Sequence, residues 1–337
     1  MDPSQPAFPL PARTMTVRAA MPDKRGLLRI GLKLVLAGAV LCIVASVVDL
    51  RRSIESVASA PALPLLLAAL LVVPNLGLQH AKWLLLARNA IPGLRQRDAA
   101  RSLFIGFSLA LVTPARAGEF GGRAYALHAP DPAAVAGLTA LDKLASMIVT
   151  LSLGIAGCVL YAQRFGAWSV PLRVGAASAA AVLVLLAIGF VLFRRHARPT
   201  AAVRRGRITV AAFRALSAAR IVPARTIAAL LGLSLVFYLV FIAQFVFLLR
   251  AIGGGSVATC IAGAATVMLL KTIIPPLTFG ELGIREGVTV FVFAPLGVAA
   301  AAAFDASILL FALNVLLPAL VGTGMLLLFN DRRPAAA

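Results

Sequence analysis

Apolar residues run through this chain in long blocks, with neither the alternation of a strand nor the one-sided stripe of a soluble helix. Blocks long enough for a full span recur near 30–48, 62–87, 135–160, 174–193, 227–249 and 306–329. Each is close to the ~20 residues with which a helix crosses the hydrocarbon core of a bilayer. A backbone in lipid must satisfy its own hydrogen bonds, so these blocks are expected to be helices. The pattern predicts an all-α polytopic membrane protein with about six full spans. Two further regions, 99–130 and 257–303, are apolar but broken. In the first, Ser102–Val112 is too short to span; the second is cut by Pro275, Pro276, Gly280, Gly283 and Gly287. Each predicts either a broken, re-entrant hairpin or a pair of tilted spans, giving up to eight or more membrane segments. Either way the chain returns to the side it left.

Composition agrees with this reading. Of 337 residues, 61% are hydrophobic and 13% charged, against a charged share of about 25% in soluble domains. The expected organisation is a cytoplasmic N-terminal segment 1–29, a single transmembrane domain 30–330, and a cytoplasmic tail 331–337. Within the domain, repeat halves of about 62–193 and 227–329 flank a basic loop, 194–225. The first apolar run ends at Asp49-Leu50-Arg51-Arg52 without a cleavage site and reads as an uncleaved helix.

The net charge of +20 does not point to nucleic acid, because the basic residues alternate sides. The N-terminal stretch through Lys33, the stretch Lys82–Arg101, the 194–225 loop and the tail carry 22 Lys and Arg, and the opposite-side loops carry five. The positive-inside rule then places both termini in the cytoplasm of a multi-pass protein of the cytoplasmic (inner) membrane. Tyr161 and Trp168 are expected in an interfacial belt on the outer side. Val203, Val210, Phe213 and Leu216 in the basic loop suit a helix on the anionic inner leaflet, or else a plain solvated loop. Cys42, Cys158 and Cys260 stand apart as small core residues, and no cofactor, metal site or catalytic constellation is expected.

The candidate chemistry lies in the two broken regions. One reads Pro114-Ala115-Arg116-Ala117-Gly118-Glu119-Phe120-Gly121-Gly122-Arg123, the other Pro276-Leu277-Thr278-Phe279-Gly280-Glu281-Leu282-Gly283-Ile284-Arg285. At a shift of 162 residues both are P-x-x-x-G-E-x-G-x-R, and Arg88 and Arg250 obey the same shift. Two of the four glutamates of the chain fall in register. The parity of spans makes the halves inverted, an arrangement typical of secondary transporters with broken helices at the midplane. Pro114, Gly118, Pro275, Pro276, Gly280 and Gly283 would break the helices and allow close backbone approach. Arg116, Arg123, Lys271 and Arg285 are the candidates for an anion such as a lipid phosphate. Glu119, Glu281, Glu286, Asp142 and Lys143 form a candidate charge network. Its glutamates either hold the arginines in place or contact the headgroup and titrate during transport. Asp305 either joins that network or caps a helix.

These elements resemble the lysylphosphatidylglycerol synthase transmembrane (flippase-like) domain family. The resemblance rests on Pro114, Arg116, Gly118, Glu119 and Arg123, then on Pro275, Pro276, Gly280, Gly283, Arg285 and Glu286, and covers roughly 30–330. Two positions depart from the family: Glu281, where many members have Gly, and Ser146, where many have Asp. The resemblance implies movement of a lipid between leaflets, with membrane lipids, anionic phospholipid or a lipid phosphate, as partners. It does not imply synthase activity, since the soluble aminoacyl-transferase domain of some members is not expected here. Two other readings use the same residues. In a membrane-embedded enzyme, Glu119 and Glu281 would be an acid–base pair; a small-ion or solute transporter would keep the inverted architecture.

Overall fold

The computed structural model describes residues 60–327 except 114, 130, 167–168, 197–221, 254 and 275–282, together with Glu55 and Ala58, and backbone alone for 90, 187–196 and 327. The first apolar block, the basic loop and both terminal segments therefore lie outside the described residues or nearly so. So do Cys42, Pro114, Trp168, Pro275, Pro276, Gly280 and Glu281.

All regular structure among the described residues is helical. In chain order the helices are α1 (Ala62–Leu70), α2 (Val72–Ala90), α3 (Gln96–Leu111), α4 (Gly118–Ala126), α5 (Pro132–Phe165), α6 (Val170–His196), α7 (Ala224–Ile252), α8 (Val257–Ile273), α9 (Ile284–Phe293), α10 (Ala300–Phe311) and α11 (Leu317–Leu327). Four stretches are long and apolar enough to cross a membrane: Ala62–Asn89, Pro132–Phe165, Ala224–Ile252 and Ala300–Leu326. They match four of the expected spans. A fifth, 174–193, falls within α6, whose apolar part is Val170–Leu186. The protein is a polytopic all-α membrane protein.

Local chemistry sets the helix ends. Asp131 accepts from the backbone N–H of Ala133 and Ala134, and Pro132 follows at the first helical position, so α5 starts firmly. Gly166, at φ +60°, ends it. Helix α10 passes into α11 through a π-helical stretch, Ala312–Leu316, which carries Asn314. Asn314 donates to Gln244 of α7 at 2.8 Å.

The first broken region is a helical hairpin. With 16 residues, α3 reaches only about 24 Å at 1.5 Å per residue, short of a full crossing. The chain turns at Val112–Ala117, and nine-residue α4 lies back along α3. A Cβ on Gly118 would collide with the Leu109 carbonyl, and one on Gly122 would sit 3.0 Å from Gly106 Cα. Glycine at these positions is what lets the two backbones touch. Helices α8 and α9 form the second hairpin, with α9 entered through Gly283 at φ +88°.

The repeat is legible in the helix boundaries. A shift of 162 carries Ala62 to Ala224, Ala90 to Ile252 and Leu111 to Ile273, all helix ends. Packing is reciprocal as well: α3 of the first unit packs on α11 of the second, and α8 of the second on α5 of the first. Helices α1–α2 and α7 are mutual counterparts and run antiparallel. Ala68 accepts from Gln244, whereas Lys82, fourteen residues on, faces Phe237, seven residues back. Counterparts that pack antiparallel are related by an axis across the helices, so the repeat is inverted.

Three expectations are corrected. Tyr161 is no belt residue: it is buried, and its hydroxyl donates to the Val292 carbonyl at 2.7 Å. Asp305 is no cap, because α10 starts five residues earlier with Ala299 as N-cap. Lys82 is no loop charge; it is buried on α2.

Candidate functional site

The site begins with the turn before α4. Thr113 Oγ1 donates to the Leu109 carbonyl and accepts from the Gly118 N–H at 2.7 Å, closing the end of α3 onto the start of α4. Between them Ala115 and Arg116 hold left-handed φ of +53° and +56°, uncommon for residues with a Cβ. The turn thus sets Arg116 just ahead of α4. Glu119 and Arg123 follow one helical turn apart on α4, so they share a face and can pair.

That face is buried against α5 and α2. Arg123 is 1% exposed and Glu119 fully buried. Arg123 Nη2 lies 2.5 Å from Glu119 Oε1, and Nη1 lies 3.3 Å from Asp142 Oδ2. The other Asp142 oxygen meets Lys82 Nζ at 2.9 Å, and Lys82 also donates to Ser146 Oγ. The other Glu119 oxygen faces Lys143 Nζ at 2.7 Å and Arg116 Nη2 at 3.6 Å. The Arg123 guanidinium lies 4.4 Å from the Trp83 ring, whose Nε1–H donates to Ser102 Oγ. An aromatic face holds a planar guanidinium flat and adds cation–π attraction.

Charges of this kind cost several kcal/mol each to desolvate unless they are paired. Four cations, Lys82, Arg116, Arg123 and Lys143, surround two carboxylates, Glu119 and Asp142. The network therefore holds two formal positive charges in excess. Such a cluster can neutralise an incoming anion at a cost in desolvation already met by the fold.

The second hairpin builds a smaller network. Arg285 Nη2 lies 2.7 Å from Glu286 Oε1, and Arg285 Nε donates to Ser307 Oγ at 3.1 Å. Ser307 in turn donates to Glu286 Oε1, and Glu286 Oε2 accepts from the Gly283 N–H at the start of α9. Arg285 also stacks 5.7 Å from Phe311. Each hairpin thus pairs an arginine with a carboxylate and an aromatic ring. The repeat counterparts differ in charge: Lys82 corresponds to neutral Gln244, and Lys143 to Asp305.

Of the expected site residues, Arg116, Gly118, Glu119, Arg123, Asp142 and Lys143 come together on the first hairpin and α5, and Gly283, Arg285 and Glu286 on the second. Lys271 lies in the last turn of α8, half-buried. Lys82, Trp83, Ser146 and Ser307 were not expected. The sequence carried a signal for Lys82: it stands inside an apolar block, six residues before Arg88, where a charge is costly without a partner.

A family model described as Lysylphosphatidylglycerol synthase TM region matches residues 30–322. No curated protein matches the chain.

Proposed function

The chain belongs to the Lysylphosphatidylglycerol synthase TM region family, and on that premise we propose that it is a flippase-like lipid translocase moving a phosphate-containing lipid between leaflets. Membership makes it a membrane protein related to lipid handling. The observation that carries the finer reading is the excess of two positive charges in the buried network around Glu119 and Asp142. A cationic surplus beside buried carboxylates on a broken hairpin suits an anion that enters and leaves. In a membrane the abundant anion is a lipid phosphate, whose acyl chains stay in the bilayer. The membrane is the cytoplasmic membrane, with both termini inside; the arginine-rich loops support this orientation even with Lys82 removed from the count.

The inverted repeat supplies a route to both leaflets. Its halves interleave, since α3 is held by α11 and α8 by α5. Any body that moves therefore mixes the two halves, and α3–α4 moves with α5, to which Glu119 and Arg123 bind it. Tilting of the hairpins with the helices that hold them exposes the site first to one leaflet and then to the other.

Leaflet exchange in proteoliposomes tests this. With phosphatidylglycerol as the probe, Arg123→Ala and Arg285→Ala should each lower the exchange rate at least tenfold in protein that still elutes as a single species. Exchange at the wild-type rate in both would contradict a role for either hairpin.

A further inference from the structure

The cations of the first network are not equivalent. Lys82 and Arg123 are 3% and 1% exposed, and their charged ends are engaged: Lys82 by Asp142 and Ser146, the two Arg123 Nη atoms by Glu119 and Asp142, and the Arg123 plane by the Trp83 ring. Those two cations balance the two carboxylates. What remains is Lys143, with its side chain 41% exposed, and Arg116, 23% exposed. Both reach the same Glu119 oxygen from the accessible side. Arg116 holds it only at 3.6 Å, and its buried Nε, like that of Arg123, has no hydrogen-bond partner among the described residues. Its fork is thus under-used, and the left-handed turn at Ala115–Arg116 fixes where it points from.

We infer that Arg116 and Lys143 form the phosphate-contacting pair of the site, whereas Lys82 and Arg123 are positioning residues that hold Glu119 and Asp142. The inference rests on the translocation reading and divides its labour. Glu119 Oε2 orients both contacting cations, and an arriving phosphate oxygen takes the donors that Arg116 leaves open and shares the Lys143 ammonium. Arg supplies a planar fork and Lys a mobile point charge, which suits a tetrahedral anion approached from one side. A phosphate on a lipid headgroup and a free phosphate present the same chemistry to this pair.

Binding by purified full-length protein in detergent separates the roles. The probes are dihexanoyl phosphatidylglycerol and inorganic phosphate, each titrated alone. Arg116→Gln/Lys143→Gln should weaken both by about tenfold or more, as expected for lost charge-assisted hydrogen bonds, with the unfolding temperature close to wild type. Arg116→Gln alone, at the more weakly held cation, should weaken both several-fold and serves if the double variant does not fold. Arg164→Gln, an exposed cation at the end of α5, should change neither. Tighter binding of the lipid than of inorganic phosphate assigns the pair to a headgroup; equal binding assigns it to free phosphate. Wild-type affinity in both the single and the double variant would overturn this division of roles while leaving translocation standing. Failure of wild-type protein to exchange any phosphate lipid in vesicles would instead remove the translocation reading.

Discussion

Asp142 shows how much one residue can organise. Ten residues into α5, it accepts Lys82 from α2 with one oxygen and Arg123 from α4 with the other. Removing one partner of a buried pair strands the other charge, at a cost of about 3–5 kcal/mol. Asp142→Asn and Lys82→Met should therefore each lower the thermal unfolding midpoint clearly, and the double variant should regain part of the loss. A double variant as destabilised as the sum of the singles would mean that the two do not act as a pair. Asp142, Lys143 and Glu119 were legible in the sequence, because ionisable residues in apolar blocks demand an explanation. Lys82 was misread because a lysine near a helix end also satisfies the positive-inside pattern. Trp83 and Ser307 gave no signal, since nothing in an isolated sequence says which apolar or hydroxyl side chain an arginine will lie against.

At the scale of elements, the swapped packing of α5 on α8 and of α11 on α3 depends on small residues. A Cβ on Gly157 would collide with Ala265, one on Gly154 would stand 2.8 Å from Leu269 Cβ, and one on Gly322 would collide with the Phe104 carbonyl. Gly157→Leu should force α5 off α8 and lower the yield of monodisperse protein, measured by size-exclusion chromatography in detergent. Gly232→Leu, where an added Cβ meets nothing within 4 Å, should leave it unchanged. Equal losses in the two would mean that helix propensity, not close approach, decides. The broken regions could be read from Ser102–Val112 and the glycines, but not their resolution as hairpins. That choice rests on contacts such as Gly122 with Gly106, which join α4 to α3.

For the whole molecule, the periodicity that the two motifs suggested extends to the helix boundaries, which recur at the same shift at Ala62, Ala90 and Leu111 and at Ala224, Ile252 and Ile273. The sequence exposed the shift of 162 through Glu119, Arg123 and Arg88 and their counterparts. It did not expose the interleaving, because packing between distant helices leaves no trace in spacing. The difference in charge at Gln244 and Asp305 stands in the sequence at that shift, but it gains meaning only once Lys82 and Lys143 are placed in the network, which makes the first hairpin the richer anion site. On the function proposed above, this asymmetric inverted repeat carries a phosphate lipid across the bilayer. The most direct measurement is leaflet exchange in vesicles holding the wild-type protein, compared between phosphatidylglycerol and an uncharged glycolipid with the same chains. Phosphatidylglycerol should exchange faster than in protein-free vesicles, with the glycolipid left behind. Exchange of phosphatidylglycerol at the protein-free rate, or equal acceleration of both lipids, would contradict it.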